Sequence, residues 1–360
     1  MSHDTSLWEL CLRWGKHVLV FLLWATLTTA GLDLFIQKAG IQSPMENHVV
    51  ERIGLMYEPN FDFVRFSEGL FVGGSNAYGC LGKGAPKERT DGVYRIVFLG
   101  DSFALGHTVL ERHHFARKME EVIREETGHE AEVLNFARAD FSISNLYQHY
   151  VDFASQWQPD LALFFADDTD LDPVRLASHD FYPAAVVEGD SLTYDYSFID
   201  SPRGRTYQRY EWLLHRTVLP RFVFEFLKVV DRGDLPHVLF DKLAAPVAAP
   251  PAPTVSGSDL ELPEVTNLVL ERLSQLDRVI VVLSGATRPE SRQILSDLGI
   301  QTLDLNPVFE EVKASGVHPF YWSVVGEYGH WNQAAHQAIG QYLGHETGRI
   351  LSSADSHTKS

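Results

Sequence analysis

Three side chains, far apart in the sequence, have the types and settings needed to move a proton and attack a carbonyl. The apolar run that follows Arg95, Ile-Val-Phe-Leu, stops at Gly100-Asp101-Ser102. A hydroxyl just past a strand end and close to a helix start sits where backbone N–H groups stabilise an oxyanion. Such a hydroxyl still needs an adjacent base. The chain holds 16 histidines, and His330 stands out in Gly326-Glu327-Tyr328-Gly329-His330-Trp331-Asn332, just before the last helix. Glu327 precedes it on the same loop, where a carboxylate holds an imidazole in one tautomer and stabilises the imidazolium. This reading makes Ser102 the nucleophile, His330 the base and Glu327 the orienting acid. The plainer readings are a tight turn in which Asp101 caps a helix, a packed core histidine and a solvated loop carboxylate.

The elements that must carry these residues follow from the apolar pattern. Tyr94–Leu99, Val133–Phe136, Leu161–Phe165, Val279–Leu283 and Thr302–Leu305 read as buried strands, and they alternate with helical patterns in the manner of parallel βαβ units. Thr108 and Glu111 have the spacing of a capping box, and Phe115, Met119, Val122 and Ile123 then repeat at helical spacing up to Gly128. Leu146, Tyr150, Phe153 and Trp157 mark a second helix, Ser291–Leu298 a third, and Asn332–Leu343 the last. Ser102 then follows a strand at the carboxyl edge of an open sheet, where α/β folds place their sites.

Gly100-Asp101-Ser102 after a strand, with an acid three residues before a histidine near the C-terminus, resembles the SGNH/GDSL hydrolases. Asn76-Ala-Tyr-Gly79-Cys-Leu-Gly82 is similar to the lead-in of the membrane-anchored bacterial members tied to envelope polysaccharides. The resemblance covers roughly residues 76–343. It implies a flavodoxin-like three-layer α/β sandwich with a central parallel five-stranded sheet, spanning 91–351 after a lead-in over 37–90. It also implies ester chemistry through an acyl-serine, on acyl groups such as O-acetyl esters of an envelope or secreted polysaccharide, with no cofactor and no metal. Two blocks depart from the family pattern. Asp140 stands where a glycine lends its N–H to the oxyanion hole, and its carboxylate opposes developing negative charge. Thr169 or Asp167 stands where an asparagine side chain donates; a threonine hydroxyl donates one bond, an ionised aspartate none. The alternatives are therefore a decayed, glycan-binding or scaffolding module and a lipid-directed esterase.

Composition bounds the remainder. The chain has 360 residues, 45% hydrophobic, and a formal charge of −18, which argues against nucleic-acid partners. Cys11 and Cys80 cannot form a disulfide framework. Asp167, Asp168, Asp170 and Asp172 lack the glycine and terminal glutamate of a calcium loop, and His113 and His114 read as helix residues. Residues 18–36 form an apolar run behind Arg13 and Lys16, long enough to span a bilayer, and the alternative is a cleaved signal peptide. The positive flank then stays inside, after a cytoplasmic N-terminus over 1–17, and the domain lies outside the cytoplasm, at the inner membrane of a bacterium. The insertion at about 173–262 crowds tyrosines with arginines, suited to covering the site or to touching glycan. Its stretch Phe222–Val230 suits a membrane surface, and Ala244–Pro253 reads as a linker. The tail over 352–360 reads as disordered.

Overall fold

A computed structural model describes residues 7–41, 43–44, 46–66, 68–171, 181–189, 191–223, 227, 264–285 and 287–358. The Ala/Pro-rich stretch 244–253 and Asp172 lie outside the described residues. The chain opens with α1 (Leu7–Lys38), followed by two antiparallel hairpins, β1 (Asn47–Val50) with β2 (Gly54–Tyr57) and β3 (Asp62–Phe66) with β4 (Leu70–Gly74). Then come β5 (Val93–Leu99), α2 (Ser102–Leu105), α3 (Phe115–Thr127), β6 (Glu130–Asn135), α4 (Ile143–Asp152) and β7 (Leu161–Ala166). The hairpin β8 (Ala184–Glu188) and β9 (Ser191–Asp195) leads to α5 (Pro202–Leu214). The last part holds α6 (Glu264–Ser274), β10 (Val279–Leu283), α7 (Pro289–Asp297), β11 (Gln301–Asp304) and α8 (Asn306–Ala314). The short hairpin β12 (Tyr321–Trp322) and β13 (Glu327–Tyr328) precedes α9 (Gln333–Thr358). Packing divides the chain into two units, residues 1–45 with 210–245, and residues 46–209 with 246–360.

Five strands form one parallel sheet in the order β11-β10-β7-β5-β6. Helices cover both faces, which is why these strands are continuous apolar runs rather than alternating ones. Ile96 and Phe98 of β5 face a core shared with Phe115, Met119, Ile339 and Leu343, from α3 and α9. Val97 and Leu99 face the other core, with Leu146, Trp157, Leu270 and Leu295. All four β5 side chains are fully buried, and each such burial stabilises by about 1.5–3 kcal/mol. The central β5 thereby delivers Gly100, Asp101 and Ser102 to the sheet edge on a rigid stem.

The segment before β5 is built into this domain rather than leading up to it. Tyr57, Phe63, Phe71 and Leu81 are buried in the first core, and Met56, Cys80 and Ala85 in the second. Asn76 makes the turn: its Oδ1 accepts from the N–H groups of Tyr78 (2.9 Å) and Cys80 (3.2 Å). The Gly79 carbonyl at that turn accepts from the buried Arg138, whose own N–H donates to Gly100 O at 2.9 Å. The Asn-x-x-Gly lead-in thus braces the strand end that carries the nucleophile candidate.

Three local expectations are corrected. Thr108 and Glu111 form no cap, because a 3-10 turn over Glu111–His113 intervenes and α3 starts at Phe115. His114 is the N-cap, its Nδ1 accepting from Ala116 N–H at 3.2 Å, so it is a buried boundary residue rather than a helix-surface one. The tail is helical to Thr358, since α9 continues past Leu343 and buries Thr347 and Leu351.

Arg95 is the largest charge buried in the domain, at 1% exposure. It pairs with Glu132 and donates to the carbonyls of Lys87, Glu88 and Trp157 at 3.1 Å each. Removing it strands one carboxylate and three carbonyls. Arg95→Ala is therefore expected to lower unfolding stability by about 3–5 kcal/mol, measured by denaturant unfolding; a loss under about 1 kcal/mol, the scale of an exposed pair, contradicts this role.

Candidate active site

Ser102 is the first residue of α2, a single turn that follows β5 directly. Asp101 caps the turn, its side chain accepting from Phe103 N–H at 2.8 Å, and Gly106 closes it in the left-handed conformation at φ 70°. The turn is braced from below by His114, whose Nε2 lies 3.1 Å from Ala104 O. One neutral tautomer satisfies both of its contacts, Nε2–H donating to Ala104 and Nδ1 accepting from Ala116. Burial pushes His114 down to about 3, so the ring stays neutral and the brace persists in ordinary buffers.

His330 reaches the hydroxyl. Its Nε2 lies 2.9 Å from Ser102 Oγ, across 228 residues of sequence. Its ring lies against Phe103 at 4.8 Å and edge-on to His107 at 5.2 Å, and its carbonyl accepts from Trp322 Nε1 at 2.8 Å. Neighbouring residues fix the loop: Trp331 is fully buried, and Asn332 donates to the carbonyls of His318 (2.7 Å) and Tyr321 (3.0 Å) while accepting from Ala335 N–H.

The carboxylate at this imidazole is Glu68, and Glu327 is not in contact with it. Glu68 sits at the tip of the β3–β4 hairpin, its two oxygens 2.8 and 2.9 Å from His330 Nδ1, and it also accepts the His330 backbone N–H at 2.7 Å. Burial works to raise the Glu68 carboxyl, but hydrogen bonds from the His330 ring and backbone outweigh it and hold the group below its ordinary value. Glu68 is therefore ionised at neutral pH and accepts the Nδ1 proton, which leaves the Nε2 lone pair toward Ser102. Glu327 instead pairs with Trp322 across the β12–β13 hairpin and is exposed. The reason is backbone geometry: β13 is extended, and Gly329 N–H continues the pairing to Phe320 O, so each residue advances about 3.3 Å and carries Glu327 away from the ring.

Glu68 has no local sequence signal beyond an acid at a hairpin tip. Two glycines make its approach possible. A Cβ on Gly329 would lie 2.2 Å from the Glu68 carboxyl carbon, and a Cβ on Gly69 would lie 2.2 Å from the Trp322 ring. With a Cβ at position 329 the carboxylate could not slide under the histidine backbone.

The two altered blocks occupy the flanking loops, because β5 lies between β6 and β7. Asp140 follows β6 with φ 63°, the left-handed region that favours glycine, and its side chain is exposed. Thr169 follows β7, and its hydroxyl donates to Asp167 Oδ1 at 2.6 Å, with its N–H on the same oxygen at 2.7 Å. A hydroxyl has one proton, so this corrects Thr169 as a side-chain oxyanion donor. Asp167 accepts rather than donates. Asp168 is bound by Arg288 and Ser291 at 2.7–2.9 Å, and Asp170 Oδ2 accepts from Asp167 N–H. These acids make loop structure. Among the described residues no group of three or more candidate ligands could hold a metal ion.

No protein-family model and no curated protein matches the chain. Among solved structures it is similar to a lipolytic protein of the G-D-S-L family from Desulfitobacterium hafniense, 15% identical over 70% of this chain and 98% of that one, with a TM-score of 0.31. It is also similar to a lipase/acylhydrolase from Enterococcus faecalis (10%, 71% and 96%, TM-score 0.38). A third is an acetylxylan esterase from Geobacillus stearothermophilus (12%, 69% and 92%, TM-score 0.34). The parallel five-stranded sheet with helices on both faces is the α/β architecture implied by the resemblance to the SGNH/GDSL hydrolases.

The close approach at Gly329 gives a direct test of the Glu68 contact. Gly329→Ala is expected to expel the carboxylate, seen by NMR as loss of the low-field proton shared between Glu68 and His330 Nδ1. Persistence of that proton in the variant contradicts the geometry.

Proposed function

We propose that this chain is a serine esterase or O-acyltransferase in which Ser102 is the nucleophile, His330 the general base and Glu68 the orienting acid. The observation that carries this reading is the unbroken line of contacts from Glu68 through His330 to Ser102 Oγ, each within hydrogen-bond distance. His330 Nε2 takes the hydroxyl proton as Ser102 Oγ attacks the ester carbonyl. The same proton then passes to the departing alcohol, leaving an acyl-serine, and water or a sugar hydroxyl accepts the acyl group with His330 again as base. The ionised Glu68 stabilises the imidazolium formed in each half-reaction.

The oxyanion is assigned to the backbone N–H of Ser102, at the start of α2, and to that of Asp140, whose left-handed backbone reproduces what a glycine would adopt. With the Thr169 hydroxyl committed to Asp167, the third donor is missing, a loss on the order of 100-fold or more in rate. This favours a slow enzyme, and it is the observation that supports the second reading, a glycan-binding module that retains the serine without turnover. The acyl group proposed is acetyl, on an envelope or secreted polysaccharide, and this rests on the resemblance of the Gly-Asp-Ser block and its lead-in.

Among the described residues one helix is long and apolar enough to cross a membrane, Trp14–Lys38 with a mean hydropathy of 1.9. A signal sequence has the same properties. We read it as an anchor, with Arg13 and Lys16 on the cytoplasmic side and the domain outside, at a bacterial inner membrane.

Labelling of the purified full chain by a fluorophosphonate probe separates the readings. Wild type is expected to label and Ser102→Ala to remain unlabelled. Glu68→Gln is expected to label slower by on the order of 10³-fold or more, as when the orienting acid of a triad is neutralised, whereas Glu327→Gln labels at the wild-type rate. A folded wild type that does not label overturns the enzyme reading, and a Glu327→Gln defect equal to that of Glu68→Gln overturns the assignment of the acid.

A further inference from the structure

From Trp14 to Leu32 most side chains of α1 are exposed among the described residues. Val18, Leu19, Phe21, Leu23 and Trp24 are more than half exposed, and burial begins only at Asp33 (8%) and Ile36 (3%). Asp33 is the single acid in the apolar span, and its contacts are specific. Its Oδ1 accepts from the N–H groups of Val218 and Leu219, each at 2.8 Å, and its Oδ2 accepts from Gln37 at 2.6 Å. Gln37 also donates to Arg216 O at 3.2 Å. The junction at Arg216–Leu219 is thereby tied to the last turns of the span.

A helix starts at that junction, with Leu219 to Val223 helical. The first N–H groups of a helix have no partner within it and ordinarily turn to water or to a local cap. Here a carboxylate from the span supplies the cap. In turn the two N–H groups solvate a charge that would otherwise be costly close to hydrocarbon. The side chains that follow are apolar and uncovered: Phe222 is 37% exposed, Val223 45% and Leu227 55%, and Trp212 just before the junction is 61% exposed. Residues 202–227 carry five arginines (203, 205, 209, 216 and 221) against two acids, Glu211 and Glu225, in a chain of net charge −18. A Trp, a run of exposed apolar side chains and a local excess of arginine, fastened to the end of a span, are the composition of an interfacial helix at an anionic bilayer.

We propose that Trp212 to Val223, together with Leu227, form a second membrane contact, lying in the boundary of the bilayer that α1 crosses, with Trp212, Phe222, Val223 and Leu227 at the acyl chains and Arg216 and Arg221 at the phosphate head groups. The proposal rests on the reading of α1 as an anchor. Asp33 sets the depth of both elements by holding them together where the chain leaves the hydrocarbon.

The full chain, reconstituted in phosphatidylcholine vesicles containing phosphatidylglycerol and a lipid with a photoactivatable acyl chain, tests this by peptide mass mapping after irradiation. Lipid adducts are expected on α1 and on the peptide bearing Phe222 and Leu227. Asp33→Ala is expected to abolish the second adduct and keep the first, and replacing phosphatidylglycerol by phosphatidylcholine to weaken only the second. Adducts confined to α1 in wild type overturn the proposal while leaving the anchor intact; adducts on neither element overturn the anchor reading as well. Equal second adducts with and without phosphatidylglycerol overturn the preference for an anionic bilayer.

Discussion

The geometry around Ser102 depends on one carboxylate holding one imidazole at two points. Glu68 accepts both the ring Nδ1 proton and the backbone N–H of His330, so the ring can neither flip nor drift without breaking a charge-assisted hydrogen bond. Fixing the tautomer places the Nε2 lone pair toward Ser102 Oγ. Were Nε2 the protonated nitrogen, the same distance would describe an inert contact. The difference between a packed histidine and a general base thus lies in a hairpin tip that belongs to neither β5 nor the His330 loop.

The surroundings hold that arrangement with small, rigid parts. Gly329 and Gly69 give the carboxylate room, while Trp322 covers Gly69 and fastens the His330 carbonyl. Asn332 ties the loop to the start of α9. On the nucleophile side, His114 braces α2 through Ala104, and Arg138 joins the Asn76–Gly79 turn to Gly100. His107, His114, His149 and His336 are buried and pushed down by desolvation, so they stay neutral and serve as structure.

The sequence showed what depends on local pattern. The five strands are apolar runs bounded by turns, and Ser102 and His330 stand at a strand end and a helix start, so the sheet and the pairing of these two side chains were both legible. Glu68 was not, because its partner lies 262 residues away and nothing in a three-residue hairpin loop points to it. Spacing drew attention to Glu327 instead. Three residues bring side chains together in a turn or helix, but the extended β13 carries them apart, and two-residue strands are too short to read as an apolar pattern. The start of α3 was missed for a related reason, since histidine is an uncommon cap. The engagement of Thr169 was readable: Asp167 two residues before it has the pattern of a side chain that folds back on its own backbone.

In the proposed reaction a strong proton relay works with a reduced oxyanion hole, which puts the chemical weight on Ser102 as nucleophile. The measurement closest to this claim is rapid-quench peptide mass analysis during turnover of an acetyl ester. The account predicts a transient acetyl group on the Ser102 peptide of the wild-type chain, and none within the same interval when Glu68 is glutamine. Turnover without acetyl on Ser102, or acetyl-serine forming equally fast in both chains, contradicts it.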